Sequence, residues 1–182
     1  MAKLYFKYGA MGSSKTAQAL ITKYNYEEND MRVWLMKPGT DTRDGASVVK
    51  SRIGLKAEAQ IITPDINVYE IYRTEHDGKV DAVIVDDFNV PVMCFGLRTD
   101  FQTKLFPGSL RLMEIADTIQ EIKTICDCGA KATVNARISD GYIVTEGAQV
   151  FLGGNDAYIA MCHKCYIRGI REHRKIKLHG QE

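Results

Sequence analysis

The chain has almost no net charge. Its 182 residues carry 24 Lys and Arg against 23 Asp and Glu, an excess of +1. So small an excess excludes a surface that holds nucleic acid or an anionic membrane by charge alone, and any ligand needs a local site. No apolar run approaches the roughly 18 residues of a membrane span. Met1-Ala2-Lys3-Leu4-Tyr5-Phe6 reads as a strand and lacks the longer apolar stretch of a secretion signal, so a cytoplasmic protein is expected. Repeats and low-complexity tracts are absent. Cysteines are few, five in all: Cys94 lies in an apolar run and is expected to be buried, and the other four fall in two close pairs. In a reducing compartment such pairs favour metal over disulfide. Hydrophobic residues make up 45% of the chain, enough for one medium domain with a small appendage.

Short apolar runs alternate with helical patterns up to about residue 125. Strands are expected at Lys3–Tyr8, Arg32–Met36, Ala59–Ile62, Val80–Val85, Val90–Gly96 and Ile119–Ile125. Helices are expected after Thr16, with Ala17, Leu20, Ile21 and Tyr24 on one face, and at Val68–His76 and Leu110–Ala116. Asp41–Gly54 is polar and reads as a functional loop or hairpin. The alternation predicts an α/β fold, a parallel sheet flanked by helices, over residues 1–125. From Cys126 the texture changes to short strands, turns and paired cysteines, a small zinc-ribbon unit over 126–182.

Gly9-Ala10-Met11-Gly12-Ser13-Ser14-Lys15-Thr16 follows the first strand and opens the first helix. The pattern G-x-x-x-x-G-K-[ST] surrounds phosphates with backbone N–H groups at a helix N-terminus. Its lysine reaches the outer phosphates and its hydroxyl ligates Mg²⁺. Gly9, Lys15 and Thr16 fit that spacing. Ser14 does not, because the pattern has glycine there and a side chain crowds the phosphates or strains the backbone. Cys126-Asp127-Cys128 and Cys162-His163-Lys164-Cys165 are 33 residues apart. Two such turn-borne pairs suit tetrahedral Zn²⁺, and four thiolates close the site, making it structural. The C-x-C spacing is shorter than the usual C-x₂-C, His163 is an alternative ligand, and buried thiols without metal are the competing account.

Together these segments resemble the thymidine kinase family of the P-loop, zinc-containing type. Leu4 to Met11 with Ser13, Lys15 and Thr16 resemble its phosphate loop. Asp41-Thr42-Arg43 and Ser51-Arg52-Ile53-Gly54 resemble its second loop. Gly96-Leu97-Arg98-Thr99-Asp100-Phe101-Gln102 and Leu105-Phe106-Pro107-Gly108-Ser109 resemble its most distinctive stretch, followed by Glu121 to Cys126 and by Gly153 to Tyr158. The resemblance implies transfer of the ATP γ-phosphate to the 5′-hydroxyl of thymidine, and of deoxyuridine. It implies that the parallel sheet is of the P-loop RecA-like kind. It implies structural Zn²⁺, Mg²⁺ with ATP, a homotetramer, and feedback inhibition by dTTP. Gly9, Ala10, Met11, Gly12, Ser13, Ser14, Lys15 and Thr16 would hold ATP, with Asp41 and Asp86 on the Mg²⁺ side. Lys15, Arg43 and Asp86 would be catalytic. Met11, Leu97, Phe101 and Phe106 would wall the nucleoside. Asn135, Phe151 and Gly153 would meet it from the family's lasso loop, from about Asn135 to Gly154, and Tyr158 would pack on the thymine ring. Cys126, Cys128, Cys162 and Cys165 would hold zinc.

One stretch is physically awkward. Val80–Val85 and Val90–Gly96 both read as buried parallel strands, yet only Asp86 to Asn89 separate them. A parallel pair needs a crossover of a dozen or more residues. Either the four residues make a tight turn between antiparallel strands, or a segment is absent. The family has Asp-Glu here, then a helix, and its glutamate is the presumed general base. The favoured account is about 15–25 residues missing after Asp86, and with them the base. A catalytically impaired, nucleotide-binding homologue is the rival reading, and a nucleic-acid-binding zinc ribbon a weaker one.

Overall fold

Both faces of the central strands are apolar, and that dictates helices on both sides. The computed structural model describes residues 3–39, 45, 47–77, 79–84, 92–149 and 157–176. These form two units: residues 1–7, 14–95 and 115–120, and residues 8–13, 96–114 and 121–182.

The first unit contains most of a six-stranded sheet. Its strands are β1 (Leu4–Tyr8), β2 (Val33–Pro38), β5 (Gln60–Ile62), β6 (Ala82–Ile84), β7 (Val92–Gly96) and β8 (Thr118–Glu121), in the order β5-β2-β6-β7-β1-β8. β2 runs parallel to β5 and to β6, and β6 parallel to β7. Backbone bonds from Val92 N to Lys3 O and from Asp117 N to Leu4 O start the ladders of β7 and β8 on β1. The pleat separates two apolar layers. Leu35, Ala82 and Met93 join Leu20 and Ala59 in one cluster. Trp34, Val83, Val92 and Cys94 are buried on the alternate positions. Such double-sided burial is the mark of a parallel sheet.

Helix α1 (Lys15–Glu27) covers the first layer through Ala17, Ala19 and Leu20. The expected apolar stripe is narrower than its sequence pattern: Ile21 and Tyr24 are 45% and 60% exposed. Small alanines bring the helix close over a short arc, which leaves those two side chains on its flank. Helix α2 (Val68–Thr74) is capped by Asn67, whose side chain accepts from Tyr69 N and Glu70 N. Tyr72 stacks on Trp34 with ring centroids 6.5 Å apart, so α2 lies against the second layer. Of the expected loop or hairpin at Asp41–Gly54, the strand β3 (Val48–Lys50) pairs antiparallel with β4 (Lys56–Glu58), which lies just beyond it.

β6 and β7 are parallel neighbours in register Val83↔Val92, as their apolar runs require. The antiparallel hairpin is thereby excluded. The expected interruption at Asp86–Asp87 falls outside the described residues.

The second unit contains α3 (Pro107–Ile115), which begins three residues earlier than its pattern indicated, a three-stranded antiparallel sheet and α4 (His163–Arg171). That sheet is β9 (Val134–Ser139) between β10 (Tyr142–Ile143) and β11 (Tyr158–Met161). Val134, Ala136 and Ile138 pack with Ile159, Met161, Cys126, Cys162 and Tyr166 in a separate core. Asn135 and Arg137 therefore take the other face of β9.

Candidate functional site

The phosphate-loop sequence lies between β1 and α1. Its first half, in the second unit, is braced by backbone bonds from Gly9 N to Gly96 O at 3.3 Å and from Ser13 N to Ala10 O at 3.2 Å. Gly9 is obligatory, since a Cβ there would stand 2.4 Å from Ser13 Oγ and 2.5 Å from Ile122 O. Met11 N donates to Asn135 Oδ1 at 2.7 Å, and Asn135 Nδ2 donates to Thr99 O at 3.2 Å. Asn135 is 3% exposed, so its amide acts as a brace for Met11.

In the first unit, Ser14 is the N-cap of α1, with φ 62° and ψ 23°, and its hydroxyl makes no capping bond. This is the left-handed region that glycine fills without steric cost, and a side chain there costs about 1–2 kcal/mol. The departure from the pattern is thus a real strain in the backbone. Ser14→Gly is expected to raise stability by about 0.5–1 kcal/mol, the relief being partly offset by the freer unfolded chain. ATP affinity should be preserved or improved. A lower melting temperature, or clearly weaker ATP binding, would assign the hydroxyl a role of its own.

Lys15 opens α1, before the first intrahelical bond from Gln18 N to Ser14 O. Burial, and then the positive charge of Arg52, lower its pKa from near 10.5 to about 8. A cation held in such surroundings favours an anionic ligand that would neutralise it.

The second unit brings together the described residues expected to meet the nucleoside. Phe106 N donates to Arg98 O at 3.4 Å, and Ser109 Oγ to Leu97 O at 2.7 Å, folding the Leu97–Ser109 stretch back on itself. Phe101 is 1% exposed. Beside it Asp100 is buried, accepting from Gln102 N, Lys104 N and Gln149 Nε2 at 2.9, 2.9 and 3.0 Å. The Tyr166 hydroxyl donates to Phe101 O at 2.8 Å. Burial, and then the Asp100 charge, push the Tyr166 pKa up, which keeps that donor protonated. Tyr158 is half-buried on β11, directly opposite Arg137 of β9.

Sequence reasoning missed Arg137, Gln149 and Tyr166. The first had a signal: Asn135 and Arg137, two apart in the run Val-Asn-Ala-Arg-Ile, put two polar groups on one face of an otherwise apolar strand. Asp41, Arg43, Asp86, Phe151 and Gly153 lie outside the described residues.

The four paired cysteines come together, with sulfurs all within 4.8 Å of one another. Cys126 opens a tight turn, in which Gly129 N donates to Cys126 O and Cys126 N to Ala130 O, both at 2.8 Å. Cys162 caps α4, and its Sγ accepts from Cys165 N at 3.4 Å. Cys128 Sγ and Cys162 Sγ are 3.6 Å apart. A tetrahedron of thiolates about 2.3 Å from Zn²⁺ has edges of about 3.8 Å, so the donor set fits a structural metal. The neighbouring Cys128 and Cys162 thiols, followed by burial, push the Cys165 thiol up to about 12. Four thiolates need a cation between them.

A phosphate-loop sequence on a parallel sheet, in a chain that also carries a four-cysteine cluster, defines a P-loop α/β protein with an appendage able to hold a metal. The thymidine kinase family model matches residues 2–89 and 85–166. The thymidine kinase of Enterobacteria phage T4 is 44% identical, over 90% of this chain and 95% of its own. Those of Enterococcus faecalis and Lactiplantibacillus plantarum are 45% and 44% identical, over 91% of this chain and 95% and 96% of theirs. The chain belongs to the thymidine kinase family.

The alignment lengths exceed the residues this chain contributes to them. The T4 comparison spans 184 positions but takes in 90% of this 182-residue chain, about 164 residues. About twenty positions of that alignment therefore have no residue in this chain. The two matched segments meet at residues 85–89.

Proposed function

We propose that the protein transfers the γ-phosphate of ATP to the 5′-hydroxyl of thymidine. The observation that carries this reading is the thymidine kinase match along residues 2–166, whose described nucleoside-site positions gather in one unit. Lys15 and Thr16 would hold the phosphates and Mg²⁺, with Asp41, Arg43 and Asp86 in their family roles. Leu97, Phe101, Phe106 and Tyr158 would enclose the nucleoside, and Asn135 would act through Met11. Phosphoryl transfer of this kind is positioning plus electrostatics, which suits a site of one lysine, a metal ion and a walled base pocket. The functional division would fall near residue 125, with ATP handled before it and the lasso anchored after it. Deoxyuridine would be a second acceptor and dTTP a feedback inhibitor. A homotetramer would cover apolar surface such as Ile21 and Tyr24. No helix among the described residues is long and apolar enough to cross a membrane, and the proposed location is the cytoplasm. The test is formation of dTMP from thymidine by the full chain with ATP and Mg²⁺. Turnover of some other nucleoside in preference to thymidine and deoxyuridine would overturn the reading.

The metal would be zinc, one ion per chain. Chelation is expected to speed amide exchange across β9–β11 and α4, whose core contains Cys126 and Cys162, and to leave β1, β2 and β7 protected. Freshly purified protein without zinc by elemental analysis, or uniform loss of protection on chelation, would refute this.

A further inference from the structure

Arg137 lies in the segment that the resemblance assigns to the lasso loop but received no role there, yet it is 7% exposed and contacts two residues of the family motifs, Phe101 and Tyr158. Its Nε and Nη2 both donate to the Tyr158 hydroxyl, at 3.0 and 2.8 Å. Nη2 also donates to Gln149 O at 3.3 Å. The guanidinium carbon lies 3.8 Å from the centre of the Phe101 ring. A buried guanidinium is tolerated only where its N–H groups meet acceptors, and its planar fork leaves few orientations that satisfy them. The contacts close on themselves: Gln149 Nε2 bonds Asp100, which precedes Phe101 in the chain. Arg137 thus fixes at once an aromatic hydroxyl, an aromatic ring and the carbonyl of the loop leading to β11.

We propose that Arg137 is a positioning residue for the nucleoside. By holding Tyr158, Phe101 and Gln149 in one arrangement, it sets the aromatic surface against which the base rests, and so sets affinity for thymidine but not for ATP. This rests on the thymidine reading above. The link it makes to Tyr158 is a charge-assisted pair of hydrogen bonds to one oxygen, so removing either end should have the same consequence.

The experiment compares the full-length wild type with Arg137→Lys, Tyr158→Phe and the double variant. Calorimetric Kd values for thymidine and KM values for thymidine and ATP are measured, with zinc content and melting temperature to verify folding. Each single change should weaken thymidine by roughly tenfold, the loss expected for a hydrogen bond to a charged group. ATP should stay within twofold of wild type. The double variant should be no weaker than the weaker single, because both changes cut one link. Unchanged thymidine affinity in the folded variants, equal losses for both substrates, or a double effect equal to the product of the singles would each overturn the proposal. Should Arg137→Lys not fold, Tyr158→Phe decides alone, since it leaves the ring and the arginine in place. A wild type that binds no thymidine would sink the functional reading, and this inference with it. A wild type that binds thymidine beside unaffected variants would sink the inference only.

Discussion

Lys15→Ala is expected to lower kcat/KM for ATP by about 10²–10³-fold while thymidine binding and the fold persist, because the lysine supplies charge to the transferring phosphate. The local electrostatics add a pH signature. In the free protein Lys15 has a pKa of about 8, set by burial and then by Arg52. Since kcat/KM reports the free enzyme, it should fall as pH rises through 8. Bound triphosphate favours the charged lysine, so the break in kcat should move to higher pH. Arg52→Ala should move the kcat/KM break upward too. Stability has the opposite sign. Between pH 8 and about 10.5 the unfolded chain keeps the Lys15 proton and the folded chain does not, so this site makes stability rise with pH in that window. The stability difference between wild type and Lys15→Ala should therefore grow in favour of wild type from pH 8 to 10. A kcat/KM profile with no break near 8, or a stability difference that shrinks with pH, would show that Lys15 is not the depressed cation.

The parallel sheet was legible because its strands are short, apolar and buried on both faces, as at Val33–Met36 and Val92–Phe95. Period and punctuation suffice for such elements. The four-cysteine cluster was legible because thiols paired in turns carry their geometry in their spacing. The α1 face was misread at Ile21 and Tyr24, since periodicity identifies an apolar stripe but not how much of it the neighbours cover. The Arg137 cluster was hidden for a different reason. Its partners are tens of residues away, and only the β9–β11 register, with Arg137 opposite Tyr158, brings them together. Ser14 was visible as a departure from a pattern, but its meaning required the backbone angle: φ 62° is a conformation suited to the glycine that the pattern has there.

The gap between β6 and β7 leads to the second large effect. Val83 pairs with Val92 in a parallel ladder, and the chain has eight residues between those two positions to turn back and start again. Such a connection ordinarily takes a dozen or more residues, usually with a helix. The T4 alignment has about twenty positions without a residue in this chain, and the two segments matched by the family model meet at residues 85–89. Both observations point to a missing crossover after the strand that leads to Asp86. We therefore expect that replacing residues 85–91 by the corresponding segment of the T4 relative raises kcat by about 10²–10⁴-fold, the range for a general base placed on the accepting hydroxyl. KM for ATP should change little, since Lys15 and the phosphate loop are untouched. The same graft, with the acidic residue after Asp86 changed to its amide, should raise the melting temperature as the unaltered graft does but leave kcat near that of the ungrafted chain. That pair of variants separates the two contributions of the segment, a relaxed strand connection and a proton acceptor. If the chain in its natural source already carries the segment, its intact mass will exceed 20.4 kDa by the mass of about 15–25 residues. Equal kcat with and without the graft would mean that the 5′-hydroxyl proton leaves by a route independent of this segment, and that the crossover serves the sheet alone.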